Sequence, residues 1–347
     1  MRTVLLILVM GCSEYNLSSP EENQPHTQSE EDTGTFGQDH TDTSENDGAI
    51  TGRVCEPSGN GWVIGARVWI EPEDGTTVEA YTDVDGRFLL ENVPPGAWTL
   101  HIEKGSFQSS VTVTVKDTLV TLAQDECLSS DVRIAVLQGD YDTTQELLSD
   151  LALPFDLIAQ GGSHQIDFLN DPARLQSYDI IFLNCGMDED WLYEAKENVA
   201  SNIQDYVSSG RSLYASDWTF QLIEAAFPTA VDFYGSDDFP SEAYSGDDGH
   251  LKGSVHDPNM QGVLGSDTAQ LHYDLAGWVI ATGADATTEV LVSGHPATIW
   301  QEEPLVDAPL AVRFQAGSGT VVFTTFHNEP QITLDMNAML REIILSL

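Results

Sequence analysis

The spacing of apolar residues along the chain changes near residue 130. Between residues 49 and 128, apolar and polar residues alternate in short runs, for example at 66–70, 98–102 and 110–115. Turn residues separate these runs at regular intervals, which is typical of a small antiparallel β-sandwich. From residue 131 onward, short apolar strands alternate with helical patterns instead. This second pattern predicts an α/β domain with a doubly wound, mostly parallel sheet.

The second pattern resolves into individual elements. Strands are predicted at 133–137, 155–158, 178–186, 211–215 and 319–326, and helices at 143–151, 191–207, 219–226 and 336–346. Ligands on sheets of this kind bind beyond the carboxyl ends of the strands. The residues that directly follow the predicted strands are therefore the candidates for a functional site.

Two further segments precede the β-sandwich. Residues 4–10 form an apolar run after Arg2, far shorter than the roughly 20 residues that span a bilayer but suited to a short signal peptide. Residues 13–48 hold ten acidic residues and neither Lys nor Arg, which predicts a disordered tether. The whole chain thus divides into a signal peptide (1–11), an acidic tether (12–48), a β-sandwich (49–130) and an α/β domain (131–347).

The charge of the chain restricts its partners. The 347 residues include 13 Lys and Arg against 56 Asp and Glu, which gives a net charge of −43. A surface this acidic repels phosphate backbones, so we expect no nucleic-acid partner. It also disfavours electrostatic docking on anionic lipids.

The first residues carry a recognisable signal. The sequence Val9-Met10-Gly11-Cys12 resembles the lipobox of bacterial lipoproteins, in which the Cys is acylated and becomes the first residue of the mature chain. The resemblance implies that Cys12 is lipidated and anchors the protein in a membrane. Ser13 rather than Asp follows the Cys, which by resemblance to enterobacterial lipoproteins favours the outer membrane, facing the periplasm or the exterior. An ordinary signal peptide or a misplaced start is the alternative.

The β-sandwich also resembles a known family. Residues 52–54, 65–68, 82–88 and 93–96 (GRV, GARV, TDVDGRF and VPPG) resemble the carboxypeptidase regulatory-like domain. The resemblance implies a transthyretin-like β-sandwich that acts as a stalk or accessory module. Cys55 ends its first predicted strand and Cys127 lies just past its last. Because an exported domain can keep a disulfide, we hypothesise that these two cysteines are bonded.

Two segments of the α/β domain resemble class I glutamine amidotransferases. Residues 178–186 resemble the family's strand whose final glycines help to form an oxyanion hole, and they end in Cys185-Gly186. Residues 322–329 resemble the strand that ends in His-x-Glu, here His327 and Glu329. In that family the His is the base and the Glu orients it. The resemblance implies that these residues form the rim of a pocket.

The expected nucleophile of that family is missing. Where the family has a Cys flanked by glycines, this chain reads Ala215-Ser216-Asp217-Trp218. Without a thiolate there is no glutamyl thioester, so we expect no glutaminase activity. Better analogues are the non-hydrolysing, trehalose-utilisation-like proteins.

The favoured function is therefore that of a non-catalytic cell-envelope lipoprotein, which either binds a ligand, a carbohydrate or a protein, or takes part in a surface interaction. The alternative is a hydrolase in which Ser216 or Cys185 acts as nucleophile with His327 and Glu329. For Cys185 the competing interpretation is a buried structural thiol.

The acidic segment 232–256 is the remaining candidate site. Asp237, Asp238, Asp247 and Asp248 could hold calcium, or neighbouring aromatic rings could stack on a sugar. The competing interpretation is a solvated acidic loop, since no dense ligand spacing appears. The histidines at 250, 256, 272, 295 and 327 form no zinc-type pair in the sequence, so no cofactor other than calcium is expected.

Overall fold

A computed structural model describes residues 47–73, 75–188, 192–235, 242–299, 304–329 and 332–347. Cys12, the predicted signal peptide and the tether up to residue 46 lie outside the described residues, as do Asp237 and Asp238. The described residues belong to one compact unit, Glu45–Leu347. Within them, no helix has the length and apolar character that a bilayer crossing requires.

The first part of the unit is a β-sandwich. Its strands are β1 (Gly48–Cys55), β2 (Arg67–Ile70), β3 (Val78–Tyr81), β4 (Arg87–Val93), β5 (Gly96–Lys104), β6 (Phe107–Val115), β7 (Leu119–Thr121) and β8 (Glu126–Cys127). One sheet has the order β4-β1-β7, with β8 also paired to β1, and the other has the order β3-β2-β5-β6. Alternating residues in several of the strands, such as Ile50, Val68 and Leu100, are fully buried between the sheets, as the alternation in the sequence predicts.

The sandwich departs from an all-antiparallel arrangement at its end. After β6 the chain returns alongside β1, and both β7 and β8 pair with β1 in parallel. Cys55 lies opposite Cys127 in this register, with the two Cα atoms 4.2 Å apart, and their Sγ atoms form a disulfide. The disulfide therefore joins the first and last strands of the sandwich.

The second part of the unit contains the remaining elements. Its helices are α1 (Thr144–Asp150), α2 (His164–Leu169), α3 (Pro172–Leu175), α4 (Leu192–Ser208), α5 (Phe220–Ala226), α6 (Pro258–Leu264) and α7 (Leu334–Ser346). Its strands are β9 (Ile134–Leu137), β10 (Phe155–Ile158), β11 (Ile180–Leu183), β12 (Ser212–Ser216), β13 (Val231–Asp232), β14 (Tyr244–Ser245), β15 (Gly249–Val255), β16 (Thr268–Tyr273), β17 (Val279–Ile280), β18 (Gly283–Ala284), β19 (Glu289–Gly294), β20 (Ala308–Ala316) and β21 (Gly319–Thr324). A short 3-10 helix, Asp217–Thr219, joins β12 to α5.

The main sheet is mixed rather than mostly parallel. Among the described residues it has nine strands in the order β10-β9-β11-β12-β21-β20-β19-β15-β16. The pairings from β10 to β21 are parallel, and those from β21 to β16 are antiparallel. Only Gly317 and Ser318 connect β20 to β21. A parallel pair needs a crossover of a dozen or more residues, so this connection permits only an antiparallel hairpin.

Helices cover both faces of the parallel half. Ile343 of α7 belongs to the core on the face that carries Val136 and Phe182. Ile203 of α4 packs in a second core with Leu183 on the opposite face. The carboxyl ends of β11, β12 and β21 lie side by side at one edge of this layered structure.

The sandwich and the mixed sheet meet at α7. Lys104 at the end of β5 is buried, and its Nζ lies 2.5 Å from Glu342 Oε1 and donates to the carbonyl oxygen of Ile64 at 2.8 Å. Arg341 Nη2 lies 2.8 and 2.9 Å from the two carboxylate oxygens of Glu56. One continuous core contains residues of both parts.

Candidate functional site

A pocket of about 360 Å³ opens at the carboxyl ends of the central strands. Cys185 follows β11, Asp217 follows β12 and His327 follows β21, and all three line the pocket together with Glu329. The rest of the lining is mainly aromatic and acidic: Tyr141, Trp218, Tyr273, Asp274 and Trp278, with the chain 275–277 between them. The pocket thus lies where ligands bind on sheets with parallel strands.

Asp217 occupies the strained position at the end of β12. Its φ angle is +48°, whereas Ser216 before it is extended at φ −126°. A non-glycine residue at positive φ is uncommon, although Asp tolerates it better than most. The carboxylate is held from two sides, because Oδ1 accepts a hydrogen bond from Val279 N at 2.6 Å and Oδ2 accepts one from Cys185 Sγ at 3.4 Å. The side chain at the sharp turn is therefore Asp217 and not Ser216.

Ser216 is a buried structural residue in this arrangement. Its hydroxyl donates to Asp142 Oδ2 at 2.6 Å and accepts from Cys185 N at 3.0 Å. It makes no hydrogen bond to His327 within the described part of the chain, and it does not line the pocket. The structure does not bring the serine-type triad together.

Asp142 lies beneath the site and is not among the residues predicted from the sequence. It is fully buried, accepts from Ser216, and accepts from Asn328 N at 3.2 Å. Burial raises the pKa of its carboxyl group, while the charge of His327 acts in the opposite direction. The only signal in the sequence is its place in the loop after β9, five residues beyond Leu137.

His327 lies next to the carboxylate of Asp217. Its Nε2 is 3.5 Å from Asp217 Oδ2, and its Nδ1 is buried without a hydrogen-bond partner in the described residues. Burial lowers the pKa of His327. The hydrogen bond to Asp217 and the charges of Asp142, Asp217 and Glu329 outweigh burial and raise that pKa to about 9. The imidazole is therefore protonated at neutral pH.

Glu329 lines the same pocket but does not orient the imidazole. Burial and a hydrogen bond with Asp274 raise the pKa of Glu329 to about 7, against the opposing charge of His327. Glu329 therefore pairs with a second carboxyl group rather than with His327 Nδ1. The His-x-Glu segment has a different arrangement here from the one implied by the amidotransferase resemblance.

Cys185 is a buried thiol and Gly186 is a required glycine. Burial, followed by the charge of Asp217, raises the pKa of the Cys185 thiol, so it is not a thiolate at neutral pH. Gly186 has φ +82°, and a Cβ there would meet the ring of Tyr141 at 2.7 Å and Asp140 N at 2.8 Å. The thiol lies on the pocket wall without the activation that a nucleophile needs.

Aromatic side chains form the outer wall of the pocket. Trp218 is 37% exposed and Tyr141 is 55% exposed. Tyr273 and Trp278 stack on each other with ring centroids 3.7 Å apart and an interplanar angle of 9°. The pocket therefore combines accessible aromatic faces with carboxylates.

The acidic segment 232–256 is not one loop, because it contains the last residue of β13 and all of β14 and β15. Asp247 and Asp248 are exposed between β14 and β15, and Asp247 Oδ1 accepts from Asp248 N at 3.1 Å. Within the described ranges, neither belongs to a group of three metal-ligating side chains. The calcium prediction stays a prediction.

Comparison with known proteins identifies the sandwich. Residues 49–124 match the family model of the carboxypeptidase regulatory-like domain. This segment is a carboxypeptidase regulatory-like domain. It contributes no residue to the pocket, all of whose lining residues lie between Tyr141 and Glu329. The regulatory-like domain was thus predictable from the sequence, and the pocket belongs to the other part of the molecule.

Solved structures that are similar to this chain share little sequence with it. Two cytoplasmic proteins of Salmonella typhimurium, each 14% identical, align over 61% and 72% of this chain and over 98% and 96% of their own, both with a TM-score of 0.40. PurLQS from Thermotoga maritima is 10% identical over 62% of this chain and 97% of that chain, with a TM-score of 0.39. At these TM-scores the likenesses carry no argument about fold or function. No curated protein sequence matches the chain.

Proposed function

We propose that the protein is a lipid-anchored protein of the bacterial cell envelope that binds a small carbohydrate in the pocket of its α/β part. The lipobox-like sequence before Cys12 and the acidic stretch after it support the anchor and the tether. In this proposal the regulatory-like domain is the stalk. The remainder is a doubly wound domain similar to the non-hydrolysing, trehalose-utilisation-like proteins.

The composition of the pocket is the observation that carries the proposal. Its volume of about 360 Å³ is at the lower end of the range for small-molecule sites, roughly 300–1,000 Å³, and suits a mono- or disaccharide. Trp218 and Tyr141 offer exposed rings on which the apolar face of a sugar can pack. Asp217, Asp274 and Glu329 supply oxygens that accept hydrogen bonds from hydroxyl groups.

The contacts around the two candidate nucleophiles support binding over hydrolysis. The hydroxyl of Ser216 is occupied by Asp142 and the Cys185 amide, and the Cys185 thiol is protonated. Neither group donates to an imidazole: Ser216 donates to Asp142, and Cys185 donates to Asp217. Among the described residues, the hydrogen bond from nucleophile to histidine that the hydrolase alternative needs is therefore not made.

A binding experiment tests the pocket. The full chain carrying Cys12→Ser, which removes the acylation site, is titrated calorimetrically with a panel of mono- and disaccharides. We expect one sugar to bind with a stoichiometry of one, and Trp218→Ala to weaken it at least about tenfold through lost stacking. Tyr81→Ala is the matched control, because Tyr81 is an exposed aromatic residue of β3 outside the pocket. Absence of any bound sugar, or equal affinity in Trp218→Ala, would refute the proposal.

A separate experiment tests the anchor. The wild-type chain expressed in a bacterial host with an alkyne-labelled fatty acid is expected to become labelled and to fractionate with membranes. Cys12→Ser is expected to lose both properties, whereas Cys185→Ser should keep them. Labelling that persists in Cys12→Ser would contradict lipidation at this residue.

A further inference from the structure

Three side chains with different donor atoms converge on one point of the pocket floor. Cys185 Sγ lies 3.4 Å from Asp217 Oδ2, and His327 Nε2 lies 3.5 Å from the same oxygen. The three donor atoms all lie within 4.8 Å of one another. They come from the ends of three adjacent strands, β11, β12 and β21, so their positions are set by the sheet.

The two separations from Asp217 Oδ2 are close to those around a tetrahedral metal ion. Zinc binds thiolate sulfur at about 2.3 Å, imidazole nitrogen at about 2.0–2.1 Å and carboxylate oxygen at about 2.0–2.2 Å. At tetrahedral angles such bonds place sulfur and oxygen about 3.6 Å apart and nitrogen and oxygen about 3.4 Å apart. The two measured distances lie within a few tenths of an ångström of these values.

We propose that Cys185, Asp217 and His327 form a binding site for a divalent cation of the zinc type, with a fourth coordination position open to the pocket. All three residues line the pocket, so an ion held by them would face its interior. Three protein ligands and one open position are typical of zinc sites that take part in chemistry. Sulfur and nitrogen donors select zinc, cobalt or nickel over calcium or magnesium, which prefer oxygen.

Hydrogen bonds from neighbouring backbone groups fix the orientation of two of the proposed metal ligands. Val279 N donates to Asp217 Oδ1, which leaves Oδ2 directed at the other two donors. The backbone N–H of Trp218 donates to the sulfur of Cys185. Contacts of this kind fix the orientation of metal ligands and are common around thiolate and carboxylate ligands.

The charge and burial of the cluster also favour a cation. Cys185, Asp217 and His327 are 1%, 4% and 9% exposed. The charges of Asp142, Asp217 and Glu329 all act on the imidazole of His327, so carboxylates outnumber cationic side chains here. His327 Nδ1 has no protein partner in the described residues, so protein contacts use only part of the ring. A bound divalent cation would interact favourably with these carboxyl groups.

This site is discontinuous in the sequence, which is why residue spacing does not reveal it. Its ligands are 32 and 110 positions apart, and no His-x-x-x-His or Cys-x-x-Cys pair exists in the chain. The proposal also stands without the carbohydrate proposal, because it needs only the three donors and their outer contacts.

Metal binding is tested on the full chain carrying Cys12→Ser. Cys185 is then the one thiol left, because Cys55 and Cys127 form a disulfide. After treatment with a chelator and desalting, the protein is titrated with Zn²⁺, and bound metal is measured by elemental mass spectrometry. We expect one zinc ion per chain. With Co²⁺ we expect a thiolate-to-cobalt charge-transfer band in the near ultraviolet, which only Cys185 can produce.

Variants identify the ligands. Cys185→Ser should abolish the cobalt band, and His327→Gln and Asp217→Asn should each weaken zinc binding at least about tenfold. His250→Gln is the matched control, because His250 is exposed and stacks on His272 with ring centroids 4.4 Å apart, outside the pocket. It should bind zinc like the parent chain.

Several results would overturn the proposal. They are the absence of stoichiometric zinc, absence of the cobalt band in the parent chain, and loss of binding in His250→Gln alone. Preferential binding of Ca²⁺ would also contradict it. The cobalt band is measured on the parent chain, so the test remains decisive even if a ligand variant misfolds.

Discussion

At the scale of single residues, Asp217 combines a strained backbone with two anchoring hydrogen bonds. The segment Ala215–Trp218 ends a predicted strand, but its residue types do not say which residue takes positive φ. That depends on how the chain enters the 3-10 helix and on the amide of Val279, 62 positions away. For the same reason Asp142 escapes prediction, since its partners Ser216 and Asn328 are distant in the sequence.

The strain at Asp217 leads to a prediction about stability. Asp217→Ala removes the acceptor for Val279 N and places an alanine at positive φ, so we expect the free energy of unfolding to fall by about 2–3 kcal/mol. Asp217→Asn keeps an oxygen acceptor and tolerates this backbone, so it should lose less stability than Asp217→Ala. Urea denaturation of both variants without metal measures the difference. Equal losses in the two variants would contradict this explanation.

The surroundings of Ser216 and Cys185 predict that neither is an activated nucleophile. Serine-reactive fluorophosphonate and thiol-reactive iodoacetamide probes should leave the folded chain carrying Cys12→Ser unlabelled. Urea should expose Cys185 to the thiol probe, which serves as the positive control. Labelling of the folded protein that disappears in His327→Ala would instead support the hydrolase alternative.

At the scale of elements, the sequence predicts those strands and helices whose apolar residues follow a clear spacing. The predicted strand at 155–158 and helix at 143–151 correspond to β10 and α1 within a residue or so. The sequence pattern does not predict the antiparallel strands β15, β16, β19 and β20. β15 begins with Gly249 and contains exposed His250 and Lys252. It directly follows an acidic stretch, so its sequence alone does not distinguish it from a polar loop. One partner, β16, follows only after α6, and the other, β19, begins at Glu289.

The contact between β5 and α7 leads to a prediction about a buried ion pair. Replacing Lys104 by Met leaves Glu342 buried without its partner and should cost about 3–5 kcal/mol of unfolding free energy. The double variant Lys104→Met, Glu342→Leu should recover much of this loss, because no unpaired charge remains. Denaturant unfolding in a double-mutant cycle measures the coupling. Arg67→Met is the control, since its partly exposed pair with Glu79 should contribute far less to stability than the buried pair.

At the scale of the whole molecule, the negative charge opposes folding. With 56 acidic and 13 basic residues, self-repulsion destabilises the compact state at low ionic strength. Salt shortens the Debye length from about 10 Å at 0.1 M to about 3 Å at 1 M, so the melting temperature should rise over this range. Potassium and sodium chloride should act alike, because screening depends on ionic strength. A melting temperature that stays flat from low to high salt would count against this prediction.

Two titratable residues of the pocket should make the stability of the folded chain fall as the pH rises. The pKa of His327 is about 9 in the folded chain against an ordinary value of 6.5, so the folded state binds more protons than the unfolded state between these pH values. Stability should therefore fall as pH rises from 6.5 to 9. Glu329, raised from 4.5 to about 7, adds a fall of the same sign between pH 4.5 and 7. Urea denaturation of the metal-free chain at constant ionic strength should show both, and His327→Gln should flatten the upper part. Stability that rises or stays constant from pH 6.5 to 9 in the parent chain would show that the carboxylates around His327 do not hold its proton.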